Sequence, residues 1–191
     1  MADYIRNMKL LCFLALTLSL ATAQTPAPPN NDFVQQQFGD TCSLDPQYKP
    51  MTADLNGDGV EDLVMVARCT NPLIDQDEKS FRVIDPLNSF YGYGNPAITS
   101  GFGQQDPRLK GISLLIIHGS GAEAWRSKTP SAKFVVINIA VKTATVKKMK
   151  LSRKKTTTAI YVEEAGGDQM TSAVFWDGRK YKYEPMGSSL E

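Results

Sequence analysis

Residues 54–62 read Asp-Leu-Asn-Gly-Asp-Gly-Val-Glu-Asp, with oxygen-bearing side chains at loop positions 1, 3, 5 and 9: Asp54, Asn56, Asp58 and Asp62. A hard cation such as Ca²⁺ takes about six to eight oxygen ligands, so a short loop must fold tightly to aim them inward. Gly57 and Gly59 permit that turn, because glycine reaches backbone angles closed to other residues. The carbonyl of Val60, at position 7, adds a backbone oxygen. Turn chemistry alone would be met by Asn-Gly and Asp-Gly pairs and does not require carboxylates at three fixed offsets. The spacing therefore predicts a Ca²⁺ site made by Asp54, Asn56, Asp58, Val60 and Asp62.

An EF-hand needs a bidentate glutamate at position 12 and flanking helices. Position 12 here is Met65, inside the apolar run Leu63-Val64-Met65-Val66-Ala67, which reads as a strand. Asp54 to Leu63 instead resembles the calcium loop of FG-GAP and VCBS repeats, which joins two β-strands in propellers and in secreted bacterial proteins. That resemblance implies the same ligand set. The loop occurs once, however, and a propeller needs at least about four blades. A small β-fold using this turn a single time is the expectation.

Other chemistry is thinner. Leu115 to Gly121 (Leu-Ile-Ile-His-Gly-Ser-Gly) looks like the strand and oxyanion turn of an α/β-hydrolase. No Gly-x-Ser-x-Gly elbow accompanies it, and His118 is the only histidine, so it cannot also be the late base of a triad. A carboxylate-based hydrolase has one further acidic cluster to draw on, Glu163 and Glu164 beside Asp168. Neighbours on a strand point to opposite faces, which keeps that pair from converging. The basic residues Lys142, Lys147, Lys148, Lys150, Arg153, Lys154 and Lys155 read first as a lysine-guarded edge strand and second as a polyanion contact. Tyr91 and Tyr93, in a Gly- and Pro-rich stretch from Asp85 to Pro107, offer flat faces for a sugar or peptide, or equally a plug for one end of a β-sandwich.

The elements that must position these groups are mostly strands. Ile112 to Ile117 and Phe134 to Ile139 read like the Leu63 run, and Thr158, Ile160 and Val162 alternate as in a half-buried strand. Asp177-Gly178 predicts a two-residue hairpin turn that sets Val174 opposite Tyr181 and Ser172 opposite Tyr183 on the core face. The one expected helix is short, Asp32 to Phe38, with Asp32 as its N-cap. The fold class is thus all-β, mainly antiparallel, a sandwich or a propeller fragment with one short N-terminal helix.

The chain opens like an export signal. Arg6 and Lys9 precede eleven mainly apolar residues, Leu10 to Leu20, and Ala21-Thr22-Ala23 fits a signal-peptidase site. The apolar stretch is shorter than the roughly 20 residues of a membrane span. Cys12 follows Leu11 rather than a small residue, which argues against lipidation. The expected organisation is a signal peptide at 1–23, a Pro-rich leader at 24–31 and one domain at 32–191. The signal removes two of 21 basic residues and one of 20 acidic residues, leaving the charges balanced, with nothing in them to favour nucleic acid or an acidic membrane. Cys42 and Cys69 remain, an even count that predicts a disulfide in a periplasmic or extracellular protein.

These readings converge on an exported, calcium-stabilised β-domain with a non-enzymatic binding or structural role, whose partner would be a glycan, a peptide or an envelope polymer. A secreted hydrolase with a carboxylate site is the alternative.

Overall fold

Two strands with no polar side to spare set the architecture. β3 (Asp62–Cys69) and β5 (Ile112–His118) are buried along nearly their whole length, so both of their faces need cover. The computed structural model describes residues 27–92, 106–165 and 170–188, and there β3 and β5 form the centre of a six-stranded sheet. Its order is β1 (Cys42–Leu44), β3, β5, β6 (Ala132–Val136) and β4 (Arg82–Ile84), with β2 (Met51–Ala53) also pairing β3. The β4–β6 pair is parallel and the others are antiparallel. A second, four-stranded antiparallel sheet runs β10 (Tyr181–Ser188), β9 (Met170–Trp176), β8 (Thr156–Glu164), β7 (Val141–Lys150).

The sheets stack as a sandwich. Val64, Val66, Leu114, Ile116, Phe134 and Val136 of the first meet Ile160, Val162, Val174, Tyr181 and Tyr183 of the second. The alternate residues Leu63, Met65, Ala67, Leu115 and Ile117 point away, against Val34 and Phe38 of α1 (Asn31–Phe38), Phe81 and Trp125. Each fully buried Val, Leu, Ile, Met or Phe among them contributes roughly 1.5–3 kcal/mol. The two-sided cover explains why these runs are continuously apolar rather than alternating. The all-β expectation holds.

Several local expectations are corrected. The N-cap of α1 is Asn30, whose side chain accepts from the Phe33 amide at 2.9 Å; Asp32 sits in the first turn, where its charge favours the helix dipole. A second helix, α2 (Pro86–Tyr91), occupies part of the stretch read as loop from Asp85 to Pro107. Its signals were local: Asp85 caps the Asn88 amide at 2.9 Å, Pro86 opens the helix, and Gly92 closes it at φ +78°. A 3₁₀ segment, Gly121–Arg126, follows β5. The strand expected to run to Ile139 ends at Val136, and Asn138 turns the chain at φ +64°.

The last hairpin has a four-residue turn. Trp176 pairs with Tyr181, and Val174 with Tyr183. Asp177 Oδ1 accepts from the amides of Arg179 (2.8 Å) and Lys180 (3.0 Å), which makes the longer turn the better satisfied one. A shift of two residues preserves the facing, so the predicted core side is kept. The opposite side also carries buried residues, Ala159, Ala173 and Phe175. β7, with Lys142, Lys147, Lys148 and Lys150, is an edge strand as expected.

Cys42 and Cys69 lie directly opposite each other on β1 and β3 and form a disulfide. It closes a 27-residue span that contains the acidic loop. Reduction, or the double change Cys42→Ala/Cys69→Ala, is expected to lower unfolding free energy by about 3 kcal/mol in the chain-entropy model. Urea midpoints of the oxidised and reduced protein measure this, and equal midpoints would refute it.

Candidate functional site

The loop between β2 and β3 folds around its own carboxylates. Asp54 accepts from the amides of Gly57 (2.7 Å) and Gly59 (3.0 Å), and Asn56 Oδ1 accepts from the Asp58 amide (3.0 Å). Asp58 Oδ1 accepts from the Val60 amide at 2.8 Å, while its Oδ2 accepts from Asn56 Nδ2 at 2.8 Å. Gly57 and Gly59 hold φ near +82° and +83°, the conformation that these positions were expected to need. Leu55 is buried in the sandwich core and pins the loop to it.

Asp62 is placed differently from the other three. It is fully buried at the start of β3. Its Oδ2 accepts from the amides of Leu55 (2.8 Å) and Asn56 (3.4 Å), and its Oδ1 from the Gly119 amide (2.8 Å). Burial raises its pKa to about 6, against the lowering effect of those amides and with a smaller push from Asp58. Nearby, His118 closes β5 with its Nε2 2.6 Å from the Tyr181 hydroxyl. Its ring also meets Phe134 and Trp176 edge to face. Burial lowers the His118 pKa to about 4 although Asp58 and Asp54 oppose the shift.

Sequence reading missed the outer brace of this site. Glu61 accepts from Trp125 Nε1 at 3.0 Å and from Thr52 Oγ1 at 3.0 Å, and Arg126 lies 3.7 Å away over the Trp125 ring. Gly119 is where the 3₁₀ segment closes on the loop. A Cβ there would lie 2.4 Å from the Glu61 carbonyl oxygen and 2.7 Å from the Ala124 carbonyl carbon. Trp125 in an Ala-Trp-Arg stretch had no visible partner in the sequence, because the partner is 64 residues away.

The donor set suits a hard cation in kind: its side-chain donors are all oxygens. Among the described residues no lysine or arginine forms an ion pair with Asp54, Asp58 or Asp62. Its arrangement is that of a self-bonded turn. No group of three or more His, Cys, Asp or Glu side chains is gathered for a metal among the described residues.

Of the possible ligand contacts, Tyr91 is 55% exposed at the end of α2, and Tyr93 lies outside the described residues. So do residues 1–26, which hold the expected signal peptide and the first three residues of the expected Pro-rich leader. Glu163 and Glu164 diverge: one binds Lys142 Nζ at 2.5 Å, the other the Tyr183 hydroxyl at 2.8 Å. A cleft of about 960 Å³ at the other end of the sandwich holds Glu164 and Asp106. Asp106 is bound by Arg108, which lowers its pKa, the opposite of what a general acid needs.

No protein-family model, curated protein or solved structure matches this chain. Among the described residues no helix is long and apolar enough to cross a membrane.

Two consequences can be measured. Asp62, with its pKa raised, adds stability below about pH 4 that is lost as pH rises through 6; His118, with its pKa lowered, adds stability above about pH 6.5 that is lost as pH falls toward 4. The two trends oppose each other over one window. In chelator, Asp62→Asn is expected to lose about 2 kcal/mol more than wild type between pH 6.5 and 4. Parallel pH profiles would refute this. Gly119→Ala is expected to cost about 2–3 kcal/mol through its backbone clash, read from thermal melts, and an unchanged melt would contradict the close approach.

Proposed function

We propose that this chain is an exported β-sandwich domain steadied by Ca²⁺ at an FG-GAP/VCBS-like loop, with a non-enzymatic binding or structural role in the cell envelope or outside the cell. The observation that carries the reading is the Asp54–Asp62 turn: of its four carboxylates only Glu61 has a cationic partner, Arg126, and Asp54, Asp58 and Asp62 have none among the described residues. Asp54, Asn56, Asp58, Asp62 and the Val60 carbonyl would hold the ion. When bound, Ca²⁺ would supply the positive charge that these carboxylates lack. Leu55, Asp62 and the Glu61–Trp125 contact fix the loop against the sandwich, so order gained at the loop is transmitted to the fold.

The disulfide on the neighbouring β1–β3 pair supports an oxidising compartment, in keeping with the export-like opening of the sequence. A partner would be a glycan, a peptide or an envelope polymer, and the exposed Tyr91 offers a face for it. The divergence of Glu163 and Glu164 favours this reading over a carboxylate hydrolase.

Thermal melts in excess CaCl₂ and in EGTA test the metal. A ligand at about 100 times its Kd adds about 2.7 kcal/mol. In a domain of this size that corresponds to a Tm rise of about 5–10 °C. Wild type is expected to show this rise and Asp58→Ala to lose most of it. Identical melts for wild type in both buffers would overturn the proposal.

A further inference from the structure

The exposed edge where β4 of the first sheet approaches β10 of the second carries a group of cations that form no ion pair among the described residues. We propose that this edge binds an acidic polysaccharide, its sulfate or carboxylate groups held by Arg82, Arg179 and Lys180 and its sugar rings resting against Phe90 and Tyr91. The proposal rests on the binding-domain reading above and supplies its ligand class.

A small cavity of about 110 Å³ opens there, lined by Arg82 from β4, Ser89 from α2, and Arg179 and Lys180 from the last turn, with Phe134 and Tyr181 as its walls. All three cations are exposed, and none forms an ion pair among the described residues. Arg82 is held over the Phe134 ring, 5.4 Å from its centroid, which orders the guanidinium without neutralising it. The carboxylate that lines the cavity, Asp85, is buried and accepts from the Asn88 amide and from the side-chain amides of Asn88 and Asn138. It is held by these three neutral donors, and among the described residues it forms no ion pair with the cations.

The cations continue beyond the cavity. Lys155 Nζ reaches the Asp177 carbonyl at 3.5 Å, which places the β7–β8 turn, with exposed Arg153 and Lys154, beside the β9–β10 turn. Asp177 belongs to its own turn amides and to Lys182. A row of separated positive charges suits a repeating polyanion better than a single small anion. Next to Ser89 in the sequence of α2, Phe90 is 47% and Tyr91 55% exposed, edge to face at 5.2 Å, and Phe90 is braced by Tyr183 at 5.6 Å. Two exposed aromatic rings on the helix that lines the cavity would give apolar contact for sugar C–H faces, and the cations charge-assisted hydrogen bonds for the acidic groups.

The test uses the oxidised full chain and measures binding to heparin, polygalacturonate, neutral dextran, phosphatidylglycerol vesicles and single-stranded DNA at low and high salt. Heparin or polygalacturonate is expected to bind in preference to the other three and to weaken with salt. Arg82→Ala/Arg179→Ala/Lys180→Ala is expected to reduce that affinity about tenfold or more. Phe90→Ala is expected to reduce it severalfold, while Lys147→Ala/Lys150→Ala leaves it nearly unchanged. Arg179→Glu gives a second, single-site variant should the triple one fold poorly. An equal loss in the Lys147/Lys150 variant would reduce the effect to general charge and overturn the site. Equal or tighter binding to vesicles or DNA would overturn the ligand class. A protein that responds to Ca²⁺ yet binds neither acidic polysaccharide defeats this inference alone; binding without a Ca²⁺ response defeats the metal reading alone.

Discussion

A carboxylate with no access to water must be held by donors, and Asp62 is held by backbone amides from two separate segments. Leu55 and Asn56 approach from the loop before β3, and Gly119 from the end of β5. A buried charge left without such donors would cost several kcal/mol. The side chain therefore ties the loop, the start of β3 and the exit of β5 to one point. Gly119 has no side chain because the Glu61 carbonyl and Ala124 occupy the space, and that approach brings Trp125 onto Glu61. The acidic turn at the surface is shaped by this buried anchor as much as by its own glycines.

The same end of the sandwich balances two titrating groups. Asp62 and His118 are both buried, one drawn toward protonation and the other away from it. Between about pH 4 and 6.5 the folded protein favours a protonated carboxyl and a neutral imidazole over the unfolded chain's preferences. The net charge of this interior changes little, and the His118–Tyr181 contact does not depend on an imidazolium. A fold exposed to varying acidity gains from such cancellation.

How much of this was legible in the sequence depends on the range of the interaction. The central strands showed themselves because two-sided burial leaves uninterrupted Val, Ile and Leu, as in Leu63–Ala67 and Ile112–Ile117. The Cys42–Cys69 pairing followed from counting. The turn at Asp54–Asp62 was visible because each glycine and oxygen acts within nine residues. Asp85-Pro86 and Gly92 also marked α2 locally, but the surrounding glycines and prolines favoured a loop reading. What could not be read was long-range: Trp125 on Glu61, Gly119 on Asp62 and Tyr181 on His118 are separated by 57 to 64 residues. No local pattern encodes such contacts.

Charge is divided along the architecture although the chain as a whole is nearly neutral. The first sheet contributes the acidic turn between β2 and β3, and the second contributes basic turns at 151–155 and 177–180. Electrostatic attraction would close these into ion pairs were they free to meet. The aromatic cluster of His118, Phe134, Trp176 and Tyr181 joins the two sheets nearby. The acidic turn is instead satisfied by its own amides, and Arg82, Arg179 and Lys180 keep their charge at the surface. Ion pairs between exposed side chains would have added little stability, typically below about 1 kcal/mol. Keeping the charges apart therefore sacrifices little of the fold's stability, and it leaves carboxylates without cationic partners at one turn and cations without ion pairs at one edge of the same domain, among the described residues.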